Sequence, residues 1–271
     1  MKTVTFSYVF LVLLLLFALG AAVISPYEPY EQDLNNRFLA PLSPEHLLGT
    51  DSLGRDILSR LIYGARSTFI VGIVSCLVAF IVGTAIGLAA VYGPPWLHTV
   101  LMLSMDSLLA IPAILMSIAV MAVFGYGLVQ VMYALGIVFS PLIARLMTAE
   151  VQKAIREDYV EIETLFNTPR LRVFSAAILP QVLPPLLVQL TSLFAVAISI
   201  EASLSFLGIG IQPPQASWGI MLDEARTYLL SDPWMILPPG IALALTVYSL
   251  NTIADFVNRK HLQKSLNSAA I

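Results

Sequence analysis

Two acidic residues stand alone among apolar side chains, and they are the first candidates for functional chemistry in this chain. Asp106 is the one charged residue between positions 67 and 144, and Glu201 lies within another apolar stretch. An ionisable group is costly in hydrocarbon, so both carboxylates are expected to face protein or water. Each then lines a translocation path or holds two helices together. Ser203 and Ser205 extend Glu201 into a candidate polar patch, although serines also simply pack helices.

Patterns that would indicate catalysis or metal binding are absent from the sequence. The three histidines, His46, His98 and His261, are scattered and show neither an H-E-x-x-H motif nor paired spacing. No lysine follows a glycine, so there is no phosphate-binding P-loop, and no G-x-S-x-G elbow occurs. The methionines between Met102 and Met132 either form a soft-metal path or, as we favour, pack helices. We therefore expect neither an enzyme nor a metal site or cofactor in this chain.

The composition places the chain in a membrane. Of its 271 residues, 58% are hydrophobic and only 11% are charged, and the mean hydropathy is +0.85. One water-soluble core cannot bury that much apolar surface. The net charge of -3 comes with scattered basic residues, which disfavours nucleic-acid binding. The only cysteine, Cys76, can form no internal disulfide.

These features predict an all-α integral membrane protein with six transmembrane helices. A span needs about 20 apolar residues, and suitable stretches lie at about 3–27, 67–92, 97–123, 128–146, 182–207 and 234–254. Pro112 and Pro141 are expected to kink their helices. Gly83 and Gly87 offer small faces for close helix packing. A cleaved signal peptide is the alternative for the first stretch, but its length favours a retained span.

The organisation along the chain follows from these stretches. Residues 1–27 form the first helix, residues 28–66 an extracytoplasmic segment ending in an amphipathic helix from Asp56, residues 67–258 a core with five spans, and residues 259–271 a tail. The core includes a charged segment at 145–180, predicted to form two short helices separated by a break, the second starting at Pro169.

The distribution of basic residues indicates which ends are cytoplasmic. If residue 2, the segment 145–180 and the tail lie inside, the cytoplasmic side carries nine basic residues: Lys2, Arg145, Lys153, Arg156, Arg170, Arg172, Arg259, Lys260 and Lys264. The outer side then carries five: Arg37, Arg55, Arg60, Arg66 and Arg226. Because cytoplasmic loops are enriched in Lys and Arg, both termini are predicted to be cytoplasmic.

Two further runs carry a family resemblance. Residues 46–66 read H-L-L-G-T-D-S-L-G-R-D-I-L-S-R-L-I-Y-G-A-R, and residues 201–208 read E-A-S-L-S-F-L-G, followed by Ser217-Trp218-Gly219. Both runs closely resemble permeases of the dipeptide, oligopeptide and nickel importer family. Glu161, Leu179 and Pro180 also match the spacing of the "EAA" loop of ABC importer permeases, with Asn167 at its glycine position.

The resemblance implies a type I ABC importer permease fold, with 145–180 as the cytoplasmic coupling loop docked in an ATPase cleft. The residues expected to couple the chain to the ATPase are Tyr159, Glu161, Asn167, Ile178, Leu179 and Pro180. Expected partners are a second homologous permease, two cytosolic ATPase subunits that bind ATP and Mg, an extracytoplasmic substrate-binding protein and membrane lipid. The polar residues of 46–66 are expected to brace a turn and a helix rather than bind a ligand.

The expected function is translocation across a bacterial inner membrane of di- or oligopeptides, or of nickel as a chelated metal, with ATP hydrolysed by partner subunits. The candidate residues of the translocation path are Asp106, Glu201, Ser203 and Ser205. A stand-alone channel or a membrane scaffold is the alternative, and it predicts function without a nucleotide-binding partner.

Overall fold

The computed structural model describes residues 2–157, 160 and 169–269, and most of those residues lie in helices, with a long segment at 25–56 that contains no α-helix. In chain order the helices are α1 (Lys2–Leu19), α2 (Ala21–Ile24), α3 (Ile57–Tyr92), α4 (Pro95–Leu109), α5 (Ala113–Phe124), α6 (Leu128–Ile155), α7 (Arg170–Val173), α8 (Leu179–Phe206), α9 (Trp218–Arg226) and α10 (Leu237–Ala269). A π turn (Phe174–Ile178) joins α7 to α8, and short 3-10 turns lie at Leu34–Asn36 and Pro233–Met235. The described residues contain no strand, only an isolated antiparallel bridge between Thr50 and Asp56.

Helix α3 begins where the sequence predicts and is much longer than one span. Asp56 caps it, its carboxylate accepting a hydrogen bond from the Ser59 amide at 2.7 Å. The helix then continues without a break through position 66 to Tyr92, for 36 residues. The predicted extracytoplasmic segment and the second predicted span therefore share one helix.

The predicted single span at 97–123 is broken into two helices. Helices α4 and α5 meet at an angle of 101° across residues 110–112. Pro112 supplies no amide hydrogen, and a proline disfavours helical backbone at the residue before it, here Ile111. The proline that was expected to kink one helix instead ends the first and begins the second.

Four helical stretches are long and apolar enough to cross a membrane, namely Ile57–Tyr92, Leu128–Ile155, Phe174–Phe206 and Pro233–Lys260. The bent α4–α5 pair makes a fifth if it counts as one span, and Thr3–Leu19 is a shorter apolar helix. The helical membrane architecture is thus confirmed, whereas the count of six spans stays a prediction.

The main core lies between α3 and α6, which pack closely through glycines. A Cβ atom on Gly83 would lie 2.6 Å from the Cβ of Ile143, and one on Gly87 would lie 2.8 Å from the Cβ of Met147. Gly136 of α6 meets Val78 in the same way, at 2.5 Å. The expected role of Gly83 and Gly87 in close packing is confirmed, and this contact fixes α6 against α3.

Candidate functional site

The coupling loop predicted at 145–180 is described only at its two flanks. Tyr159, Glu161 and Asn167 lie outside the described residues. On the first flank, α6 continues to Ile155 with Arg156 as its C-terminal cap. The ATPase-docking role of the loop therefore stays a prediction.

The second flank forms a continuous path into α8. Helix α7 begins at Arg170, one residue after the predicted start, and the amides of Arg172 and Val173 donate to the carbonyl of Pro169 at 2.8 and 3.1 Å. Ile178 ends the π turn and is buried, while Leu179 and Pro180 begin α8. The chain therefore passes from the loop into a membrane-spanning helix without leaving helical geometry.

Asp106 and Arg145 form an ion pair between α4 and α6. The Oδ1 atom of Asp106 lies 2.9 Å from Nη1 of Arg145, and their side chains are 49% and 54% exposed. Arg145 is the first residue of the predicted coupling loop, but the structure places it within α6, which continues to Ile155, and Asp106 lies just before the break that separates α4 from α5. Sequence analysis identified both residues but not their contact, which joins positions 39 apart in the chain.

Glu201 and Ser205 lie together inside the protein. Glu201 is fully buried, and its Oε1 accepts a hydrogen bond from the Ser205 hydroxyl at 2.9 Å. The Ser205 oxygen in turn accepts from the amide of Ile211 at 3.1 Å, which fastens the loop after α8. Of the two roles considered for Glu201, this geometry favours holding helices and loops together.

Ser203 points away from that pair. It is exposed, its hydroxyl donates to the carbonyl of Ser199 in its own helix at 2.8 Å, and it lines a cavity of about 630 Å³ between α8 and α10. The polar patch expected around Glu201 is therefore wrong in part. Ser205 belongs to it, but Ser203 does not, because residues two apart in a helix point in different directions.

A network of mostly buried charges joins residues 28–66, the predicted extracytoplasmic segment that we call the outer segment, to α9. Glu224 accepts hydrogen bonds from Nη2 of both Arg55 and Arg60 at 2.8 Å, and Asp51 lies 2.6 Å from Nε of Arg55 and 3.6 Å from Nε of Arg60. Both arginine side chains are less than 5% exposed. We call Asp51, Arg55, Arg60 and Glu224 the outer charged cluster.

Neighbouring contacts extend the outer charged cluster along α3. His46 lies 3.0 Å from the helix-capping Asp56, and the Trp218 indole donates to the carbonyl of Leu61 at 3.0 Å. Ser217 caps α9, with its hydroxyl accepting from the Ile220 amide at 3.3 Å. The expectation that residues 46–66 brace a turn and a helix is confirmed by these contacts.

Metal-ligating groups do not assemble in the part of the chain that the structure describes, where no three His, Cys, Asp or Glu side chains come together. The candidate functional groups are therefore an exposed ion pair between α4 and α6 and, apart from it, two polar clusters that hold helices and loops together.

Two known families match most of the chain, in two separate parts. Residues 79–265 match the family described as "Binding-protein-dependent transport system inner membrane component". Residues 2–41 match the "N-terminal TM domain of oligopeptide transport permease C".

Several curated proteins are similar along most of their length. The di/tripeptide transport system permease protein DppC of Pseudomonas aeruginosa is 38% identical over 267 residues, covering 96% of this chain and 88% of that protein. The dipeptide permease DppC of Escherichia coli is 36% identical, with 94% and 86% covered. The glutathione permease GsiD of Pectobacterium atrosepticum is also 36% identical, with 91% and 82% covered.

Solved structures share the fold at low sequence identity. An inward-facing form of the MetNI methionine ABC transporter has a TM-score of 0.61 and 18% identity, covering 75% of this chain and 97% of that one. An amino acid ABC transporter with histidines has a TM-score of 0.59 and 15% identity, covering 75% and 94%. The helical arrangement is therefore that of the membrane component of such transporters.

Proposed function

This chain belongs to the family of binding-protein-dependent transport system inner membrane components, and on that premise we propose that it passes small peptides across a bacterial inner membrane. The observation that carries the proposal is the 38% identity, over 96% of the chain, to a di/tripeptide permease. The chain is a permease component of an ABC importer, and the ATPase activity belongs to partner subunits.

Peptides are favoured over nickel as cargo. The relatives described above are named for di- and tripeptides, dipeptides and glutathione, which are all small peptides. In this proposal the chain pairs with a second permease and two ATPases that bind ATP and Mg, and an extracytoplasmic protein delivers the peptide. The ends of the chain lie in the cytoplasm, as the distribution of basic residues predicts.

Transport in this scheme involves no covalent chemistry. Closure of the ATPases on ATP moves the docked loop at 145–180, and the loop moves α6 and α8, the two helices that enter and leave it. The helices then rock between arrangements open to either side of the membrane. Asp106 is the exposed charged member of the proposed path, Ser203 remains a candidate, and Glu201 with Ser205 supports the helices from within.

The proposal is tested by uptake into proteoliposomes that contain the assembled complex and the binding protein. Labelled dipeptides are compared with free and chelated nickel, each with and without ATP. We expect ATP-dependent uptake of the dipeptides alone. Uptake that does not depend on ATP would support a channel instead, and uptake of nickel alone would overturn the choice of cargo.

A charge reversal in the coupling loop tests how the chain meets its ATPase. We expect Glu161→Lys to reduce ATPase binding and peptide uptake while leaving membrane insertion intact, because the loop is proposed to dock in the ATPase cleft. Co-purification of the ATPase and uptake are measured, with the same charge reversal at the exposed Glu28, outside the coupling loop, as the control. Normal uptake by the Glu161 variant would show that this residue takes no part in docking.

A further inference from the structure

The ion pair between Asp106 and Arg145 differs in its surroundings from the other ion pairs of the described residues. Those others lie in the outer charged cluster, between His46 and Asp56 beside it, or within α9. The Asp106–Arg145 pair instead joins two helices of the membrane region and leaves about half of each side chain exposed. It is therefore accessible to something outside this chain.

The exposed surface of α4 around Asp106 is mixed, with the exposed Leu103 beside polar side chains and one charged group. Helix α4 also exposes Thr99, Ser104 and Ser107, whose hydroxyls donate to carbonyls one turn back at 2.8 to 3.1 Å. Charged side chains at membrane depth face a protein interior or a water-filled cavity. The exposed side of α4 therefore faces the translocation path or the second permease.

Both members of the pair keep unused binding capacity. A carboxylate has two acceptor oxygens and a guanidinium has five N–H donors. Within the described residues, the ion pair engages one oxygen of Asp106 and one terminal nitrogen of Arg145, and neither side chain binds a further partner there. Half-exposed ion pairs add little net stability, so an incoming charged group can separate them at small cost.

We propose that Asp106 and Arg145 form an exchangeable ion pair that binds the charged ends of the transported peptide, with Asp106 taking the α-ammonium group and Arg145 the terminal carboxylate. A zwitterionic peptide offers one partner of the correct sign to each side chain, so exchange leaves no charge unpaired in the membrane. After the peptide leaves, the two side chains pair again.

This assignment explains how one site can accept many peptides. The two charged ends are common to all linear peptides, whereas side chains differ, so recognition of the ends alone does not discriminate by sequence. The inference rests on the proposed function, because it requires peptides as cargo. It adds where in the chain the cargo binds and by which chemical groups.

The test measures peptide binding at the pair without the binding protein. In a Cys76→Ala background, Ser107→Cys places a thiol on the exposed face of α4 next to Asp106, and a neutral maleimide labels it in the assembled, detergent-purified complex. Labelling rates are compared with no peptide, with millimolar free dipeptide, and with the same dipeptide acetylated at its amino end and amidated at its carboxyl end.

We expect the free dipeptide to slow labelling and the blocked dipeptide to have no effect. Adding Asp106→Asn or Arg145→Gln should abolish the protection. In the uptake assay, each of these variants should lower the rate about tenfold, the loss expected for one charged hydrogen bond. Asp106→Glu and Arg145→Lys keep the charges and should retain part of the protection.

Matched controls come from the Asp223–Arg226 ion pair on α9, whose atoms lie 2.8 Å apart and whose arginine is equally exposed. Asp223→Asn and Arg226→Gln should leave protection and uptake unchanged. Equal protection by free and blocked peptides, protection that persists in Asp106→Asn, or failure of that variant to assemble would each overturn the inference. Failure to assemble would place the pair at the contact with the second permease.

The two proposals fail in distinguishable ways. If the unaltered complex shows no ATP-driven peptide uptake, the proposed function is wrong. If it imports dipeptides but free dipeptide does not protect the cysteine, peptide transport stands and only the binding role of Asp106 and Arg145 is lost.

Discussion

Glu224 is the side chain on which the outer charged cluster depends, because it is shared by two buried arginines. Replacing it with glutamine removes the negative charge and leaves Arg55 and Arg60 with only Asp51 to balance them. Breaking a buried charge network by losing one partner costs about 3 to 5 kcal/mol. We expect Glu224→Gln to lower the thermal unfolding midpoint of the purified complex clearly.

The neighbouring Asp223→Asn is the control for that experiment, since it removes an acid from the same helix outside the cluster. Its midpoint should fall much less than that of Glu224→Gln, because its partner Arg226 is exposed to water and ion pairs at the surface contribute only about 0 to 1 kcal/mol. Equal midpoints for the two variants would show that the cluster does not hold the outer segment to α9.

At the residue scale, sequence patterns identified local roles better than distant partners. The start of α3 at Asp56 was predicted, because a capping side chain and the helix it caps are adjacent in sequence. The contact of Arg60 with Glu224 was not, since the two are 164 positions apart and no local spacing connects them. For Glu201, apolar neighbours predicted an inward orientation, but choosing between its two roles required its bond to Ser205.

At the scale of helices, α3 and α6 pack closely through glycines. Adding one methyl group at such a glycine tests whether this close contact stabilises the protein. Gly136→Ala and Gly83→Ala place a Cβ within 2.6 Å of heavy atoms on the facing helix. Overpacking of this kind costs typically 1 to 3 kcal/mol. We expect both variants to unfold at lower temperature and to give less assembled complex after purification.

Gly240→Ala supplies the same substitution in open space. Its added Cβ would meet nothing closer than a Leu222 methyl group at 3.8 Å. Because alanine is the better helix former, this variant should be neutral or slightly more stable. Equal destabilisation by all three substitutions would mean that loss of glycine itself, and not close packing, is responsible.

At the element scale, apolar length predicted where helices lie but not how each one ends. The end of α3 at Tyr92 comes directly before Gly93 and Pro94, and the start of α6 at Leu128 comes directly after Gly127. Both boundaries could therefore be read from the sequence. The 101° bend between α4 and α5 could not be derived, because a proline in an apolar stretch is compatible with a kink, a break or a turn. The packing of the surrounding helices decides between them.

The orientation of the whole molecule in the membrane can be tested by labelling cysteines from one side of the membrane. In a Cys76→Ala background, Leu34→Cys places a thiol on the exposed outer segment and Ser268→Cys places one in the tail. If both termini are cytoplasmic, a membrane-impermeant thiol reagent should label position 34 in spheroplasts. Position 268 should be labelled only after the membrane is opened, and the reverse pattern would contradict the predicted topology.

At the scale of the molecule, family resemblance predicted the transporter class, and composition predicted the membrane. The sequence left peptides and nickel as alternative cargoes, because no motif in it distinguishes them, and the proposal of peptides depends on the names of the relatives. For the coupling loop, the sequence is more informative than the structure. The spacing of Glu161, Asn167, Leu179 and Pro180 resembles the family's loop, but Glu161 and Asn167 lie outside the described residues.

The length of α3 has a mechanical consequence. At 1.5 Å per residue its 36 residues measure about 54 Å, whereas the hydrocarbon layer is about 30 Å thick. The outer charged cluster grips one end of this rod, and the other end reaches the turn before α4. The rod therefore acts as a lever, and for a helix of this length a tilt of about 10° displaces the far end by about 9 Å. A force on the outer segment would therefore also move the opposite end of α3, at the turn before α4.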